Sequence, residues 1–268
     1  MQIAGLAAGS TALANAWFLA HAGHAVRLWS ALAAERRALA SIGRLAAHAS
    51  VNGTVSATIA SSPKACLDGA LLMTIAAPAC AHQPLMAGAA PHPTAQQVVM
   101  VHPVTGLSSP LLCRMLKDRA VKPTIVDVPT SLFTARKTDA AAVDILGLKT
   151  IVDVATIPGD RRAHALRRRE DIFGKRFRGE TSRLGVSLPG GPQEFEHRCI
   201  TEDVPYGLIF FRPLGQLTGV KMPIGEAPIR LASGRYARDF TDEGHTVARL
   251  GLAASSGRDI PAISSNGF

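Results

Sequence analysis

The sequence predicts an α/β protein, with a parallel sheet built over residues 1–170 and a small, incomplete all-helical part over 171–268. Three observations predict it. Short apolar runs bounded by Gly or Pro alternate with helix-period stretches as far as Pro158. Apolar residues make up 47% of the 268, yet aromatics only 5%, so small side chains, Ala above all, carry the core. That composition suits close helix–strand packing better than a β-sandwich. Beyond Pro158 comes a charged, Gly- and Arg-rich stretch, 159–198, and then helical periodicity returns.

Residues 2–6 (QIAGL) read as a strand, and 10–22 as a helix with apolar residues at Ala12, Leu13, Ala16, Trp17 and Ala20. Gly23 suits the left-handed position after a helix. Residues 25–29 (AVRLW) form the second strand and 31–47 the next helix. Strand, glycine turn, helix, glycine and strand make a βαβ unit of the Rossmann type. Strands at 71–76, 97–101 and 124–128 follow, with a helix over 109–119. Residues 142–157 read as two strands around Gly147, 207–220 and 223–250 as helices, and the tail from 253 as frayed.

Composition narrows the function. No apolar run reaches the 18 or more residues of a membrane span. The N-terminus lacks a basic n-region. Four scattered cysteines offer neither a metal site nor a disulfide framework, so a cytoplasmic setting is expected. Of the net charge of +9, much lies in 161–178, with eight Lys/Arg and two acids. No recognition motif is interleaved there, so it reads as a solvated face, with no nucleic-acid partner expected.

A dinucleotide fingerprint uses glycines for the tight turn and for close approach of the pyrophosphate. Here its positions are read as Gly5, Ala7 and Ser10, with Gly9 as a neighbouring flexible residue. Ala7 puts a methyl group where pyrophosphate would press. At the end of the second strand, an acid that would read the ribose of NAD is replaced by Ser30, with Arg36 and Arg37 following. A hydroxyl and cations favour NADP over NAD. His82, His102 and Thr105 lie on loops after strands and read as bystanders.

Several segments carry a family resemblance: RCITEDVPYGL, PLGQLTGVKMP and LASGRYARDFTDEGHTVARLGL between Arg198 and Leu252, PACAHQPL from Pro78, and TSLFTARKT over 130–138. Together with the N-terminal βαβ unit, the sequence resembles the octopine/nopaline (opine) dehydrogenase family. The resemblance implies NAD(P)H-dependent reductive condensation of an amino acid with an α-keto acid. It also implies that Pro78 lines the cofactor, that Asp203 is the carboxylate of a His–Asp pair, and that Arg136 binds substrate carboxylate. The family's Asn-rich histidine segment, expected after Glu180, Thr181 and Ser182, is absent, and neither His164 nor His197 sits in that motif. His197, six residues before Asp203, is the stand-in expected. A shortened helical part leaves apolar faces that a homodimer would cover. The alternatives are a catalytically inactive nucleotide-binding or dimerising remnant of that family, or a dehydrogenase of the ketopantoate reductase or glycerol-3-phosphate dehydrogenase type.

Overall fold

The computed structural model describes residues 1–149, 152, 154–161, 165, 172, 173 and 197–266. His164, residues 180–182 and most of the basic stretch lie outside them. In chain order the strands are β1 (Gln2–Leu6), β2 (Ala25–Trp29), β3 (Arg44–Ala49), β4 (Gly53–Ser56), β5 (Thr58–Ile59) and β6 (Leu72–Ala76). Then come β7 (Val98–His102), β8 (Thr124–Asp127), β9 (Phe133–Asp139), β10 (Ala142–Leu148) and β11 (Ala155–Ile157). They form two sheets. One has seven strands in the order β11-β8-β7-β6-β1-β2-β5, parallel except for β11, which runs antiparallel to β8. This is the doubly wound order, with the chain reversing direction across the sheet at β1 and β6. The other has four strands in the order β4-β3-β10-β9.

Helix α1 (Ser10–His21) lies between the two sheets. This explains its composition. A helix covered on both faces needs small side chains, and Ala12, Ala14 and Ala16 are all buried. Trp17, 2% exposed, closes the layer and donates its indole N–H to the Gly53 carbonyl at 3.0 Å. The helices α2 (Ala33–Ile42), α3 (Pro63–Leu67), α4 (Ala79–Ala89) and α5 (Ser108–Met115) complete the N-terminal part. Ser62 caps α3 by accepting the Ala65 amide at 3.1 Å.

The C-terminal part comprises α6 (Arg198–Thr201), a π-helical turn at Val204–Leu208, α7 (Ile209–Thr218), α8 (Pro223–Tyr236) and α9 (Ile260–Asn266). It packs on α5: Leu111 shares a small core with Phe210, Val247, Leu250 and Leu252. Among the described residues, no helix is long and apolar enough to cross a membrane.

Four expectations change. The helix expected over 31–47 stops at Gly43, which is left-handed at φ +69°, and 44–49 is a strand paired with β4 and β10. Gly147 is not a turn; it lies inside β10 at a register irregularity opposite Thr134. The helix expected over 223–250 ends at Tyr236, because Ala237 turns left-handed at φ +49°. The tail is helical near its end, and Ile260 and Ile263 pack against the Leu250 and Leu252 cluster.

Candidate active site

In an open α/β sheet, ligands meet the carboxyl ends of the strands where the strand order reverses. Here that is the turn between β1 and α1, flanked by the ends of β2, β6 and β7. Gly5 is not part of the turn. It pairs with Leu28 on one side and Thr74 on the other inside the sheet, and a Cβ there would lie 2.6 Å from the Leu28 side chain. The turn is 7–9. Ala7 donates its amide to the Trp29 carbonyl at 2.9 Å and then holds φ at +134°, a conformation suited to glycine. Gly9 caps α1 without a side-chain bond, and a Cβ on it would meet nothing within 4 Å. A fingerprint on this turn would therefore fall at Ala7, Gly9 and Ala12, two residues later than the sequence reading placed it. Ala12 is buried against the strands, where the third small residue belongs.

These features fit a dinucleotide. The first-turn amides of α1 have no side-chain cap, and the space over Gly9 is open, as a pyrophosphate at a helix N-terminus requires. Ala7→Gly is expected to relieve about 1 kcal/mol of backbone strain. Thermal unfolding should show it as a rise of roughly 2–4 °C.

Ser10 works differently from the expectation. Its hydroxyl accepts the Lys137 amide of β9 at 2.9 Å, fastening the second sheet to the turn. The Lys137 ammonium bonds the Ala8 carbonyl at 2.9 Å and Glu35 at 3.2 Å. Ser30 is 4% exposed. Its hydroxyl accepts the Leu32 amide at 3.2 Å and donates to Glu35 at 2.6 Å. The Arg36 guanidinium bonds the carbonyls of Ser30 and Ala31 and lies over the Trp29 ring. Of the groups that favoured NADP, Ser30 and Arg36 are thus engaged within the protein, Arg37 is exposed, and a carboxylate stands among them.

At the ends of β6 and β7 lie three buried histidines. His102 closes β7 and is fully buried, with Nε2 at 3.0 Å from the Asn15 amide nitrogen of α1. His82 belongs to α4 rather than a loop; its Nε2 meets the Ala77 carbonyl at 2.9 Å and its Nδ1 the Ser108 hydroxyl at 2.9 Å. Burial pushes the pKa of His82 down to about 4 and that of His102 to about 3, so both are neutral near pH 7. A carbonyl only accepts, so Nε2 of neutral His82 carries the proton, and its Nδ1 faces the Ser108 hydroxyl, which itself donates to the Thr105 carbonyl.

His245 completes the group from the far end of the chain. It is 2% exposed, its Nδ1 lies 3.1 Å from the Gly106 carbonyl, and Tyr206 packs edge-on at 5.2 Å. Nδ1 must donate to that carbonyl, which leaves the Nε2 lone pair free, and Nε2 is buried with no hydrogen-bond partner. Burial lowers its pKa, and the nearby Arg249 adds to the effect. Tight backbone contacts fix this ring. A Cβ on Gly106 would lie 2.4 Å from the Tyr206 carbonyl, and one on Gly244 2.1 Å from the Pro205 carbonyl. The EDVPYG string thus supplies Pro205 and Tyr206 to a lock that holds His245 over the loop after β7.

The residues carried over by resemblance are not brought together. Asp203 is exposed at the start of the π-helical turn, and no described histidine bonds it. His197 accepts the Cys199 amide on Nδ1 at 3.2 Å, a local contact at the start of α6. Arg136 is exposed on β9. Its neighbour Lys137 reaches Ala8 and Glu35, so β9 runs beside the β2 end of the turn rather than the ends of β6 and β7. Pro78 immediately precedes α4, at the mouth of the site. No group of three or more potential metal ligands occurs among the described residues.

Fold and site together define a Rossmann-type α/β architecture closed by a helical C-terminal part. A model of the α-helical domain of the NAD/NADP octopine/nopaline dehydrogenases matches residues 180–236. An octopine dehydrogenase structure with NADH and L-arginine superposes with a TM-score of 0.73 at 15% identity, over 97% of each chain. Another, with NADH and pyruvate, gives 0.71 at 15% identity, over 97% of this chain and 98% of that one. An apo yersinopine dehydrogenase gives 0.57 at 11% identity, over 96% of this chain and 76% of that one. No curated protein matches in sequence. The chain is similar to the opine dehydrogenases in fold along its length, and in sequence over the helical segment.

Proposed function

We propose that the protein is an opine-dehydrogenase-like oxidoreductase that reductively condenses the amine of an amino acid with an α-keto acid, using a nicotinamide dinucleotide. The observation that carries the reading is His245. A buried, unpartnered imidazole nitrogen with its tautomer fixed by a backbone carbonyl stands over the loop after β7. The opine-type fold supports the substrate class, since its solved members hold NADH with arginine, agmatine or pyruvate.

Condensation needs one proton moved twice. Neutral Nε2 of His245 takes a proton from the amino acid's ammonium, freeing the amine to attack the keto carbon. The resulting imidazolium returns that proton to the carbinolamine hydroxyl, which leaves as water and gives the iminium. A nicotinamide held beside the 7–9 turn would supply the hydride for that carbon. Around that centre, α1 and the 7–9 turn would hold the pyrophosphate. His82, His102 and Asn15 stay neutral and fix the loop positions.

Asp203 and His197 would act only by moving together, and Arg136 lies outside the reacting end. The inactive-remnant reading draws on the exposed, unbonded Asp203. NADH titration by fluorescence, followed by a turnover assay, separates the two: binding with turnover supports the enzyme, and binding without turnover supports the remnant. A homodimer and a cytoplasmic setting are further parts of the proposal.

A further inference from the structure

The sequence has no acid at the end of β2, yet the fold puts one there. Glu35 lies five residues beyond Ser30, in the first turn of α2, and its carboxylate folds back onto the Ser30 hydroxyl at 2.6 Å. Ser30 is too buried to touch a ligand, and both of its hydrogen bonds are internal. Its hydroxyl therefore positions Glu35 instead of presenting itself. The Glu35 side chain remains 29% exposed, and its other oxygen is held by Lys137, which also bonds the Ala8 carbonyl of the 7–9 turn. Three elements thus fix one carboxylate beside the turn: β2 through Ser30, α2 through its own backbone, and β9 through Lys137.

We infer that Glu35 is the group that reads the adenosine ribose, and that it selects NAD(H) over NADP(H); this rests on the nucleotide-binding reading above. A carboxylate accepts hydrogen bonds from two ribose hydroxyls and repels a 2′-phosphate. Two of the three nearby cations are turned to acceptors within the protein. Arg36 is committed to the Ser30 and Ala31 carbonyls, Lys137 to Glu35 itself and Ala8, and Arg37 is exposed on α2. The carboxylate also supplies a charge that holds Lys137 over the turn.

Fluorescence titrations of NADH and NADPH against the full chain test this, with the wild type beside Glu35→Gln and Ser30→Ala. The wild type should bind NADH at least ten-fold more tightly than NADPH. Glu35→Gln should narrow that ratio at least five-fold, mainly by weakening NADH, with unchanged circular dichroism. Ser30→Ala, which frees the carboxylate without removing it, should narrow it less. Equal or tighter NADPH binding by the wild type, or an unchanged ratio in Glu35→Gln, overturns the assignment while leaving nucleotide binding in place. Binding of neither nucleotide overturns the nucleotide-binding reading itself, and the assignment with it.

Discussion

His245→Asn is expected to lower NADH-dependent condensation by about 10²- to 10⁴-fold, the range that a positioned acid/base group contributes. Asparagine can still donate to the Gly106 carbonyl where Nδ1 now does, so the loop lock of Pro205, Tyr206 and Gly244 should survive. NADH affinity should therefore stay within about two-fold, given that the 7–9 turn and Glu35 are untouched. The pH profile adds a second signature. Burial holds the His245 pKa below its ordinary value of 6.5, so the base form persists at neutral pH. The acidic limb of kcat/KM should fall below pH 6.5 in the wild type and vanish in the residual activity of the variant. Loss of NADH binding alongside activity would instead make His245 a structural residue.

Acidification below pH 6.5 should destabilise the protein through its buried histidines. His82 and His102 have folded pKa values of about 4 and 3, below the ordinary 6.5 of the unfolded chain. The unfolded state then binds more protons across that window. Stability is fully present above pH 6.5 and is lost as pH falls toward the folded values, at up to about 1.4 kcal/mol per unit for each histidine. Asp127 runs the other way. Burial raises its carboxyl to about 6, so its folded form binds the extra proton between pH 6 and 3.8. The opposition cancels roughly one histidine, leaving a net loss on the order of 1–2 kcal/mol per unit between pH 6 and 4. Against typical stabilities of about 5–15 kcal/mol, that is a large fraction. Urea midpoints followed by Trp17 and Trp29 fluorescence should drop steadily from pH 7 to 5, and His102→Gln should flatten the slope. A midpoint that is constant or rises on acidification contradicts the buried neutral histidines.

Much of the fold was legible in the sequence because the parallel sheet announces itself. β1, α1, β2, β6, β7 and β8 fall within a residue or two of the expected positions, since short apolar runs ending in Gly or Pro have few other uses. The misses share a cause. RLAAHA at 44–49 is alanine-rich, and local propensity favours helix, but β10 and β4 claim it as a strand once Gly43 has turned the chain. Ala237 ends α8 in a left-handed conformation that nothing in its identity foretells.

The site was less legible because its parts are long-range. Gly5 looked like the fingerprint's first glycine, but strand pairing, invisible in one sequence, carries β1 through it. Glu35 lies outside the usual spacing for a ribose-reading acid, and only the return of α2 onto Ser30 brings it there. His102 and His82 read as loop bystanders, whereas they are buried in a strand and a helix. His245 sits in an acid-rich run, DEGHTV, and its place beside Gly106 depends on a contact spanning 139 positions. The EDVPYG string did signal the region, though through Pro205 and Tyr206 rather than Asp203.

The most direct test is NADH oxidation by the purified chain, followed at the nicotinamide absorbance, with pyruvate alone, each proteinogenic amino acid alone, and each pair. NADH should be consumed only when keto acid and amino acid are present together, with a secondary-amine dicarboxylate as product by mass spectrometry. Bound NADH that is consumed by no pair, or consumed equally by pyruvate alone, would contradict reductive condensation as the function of this fold.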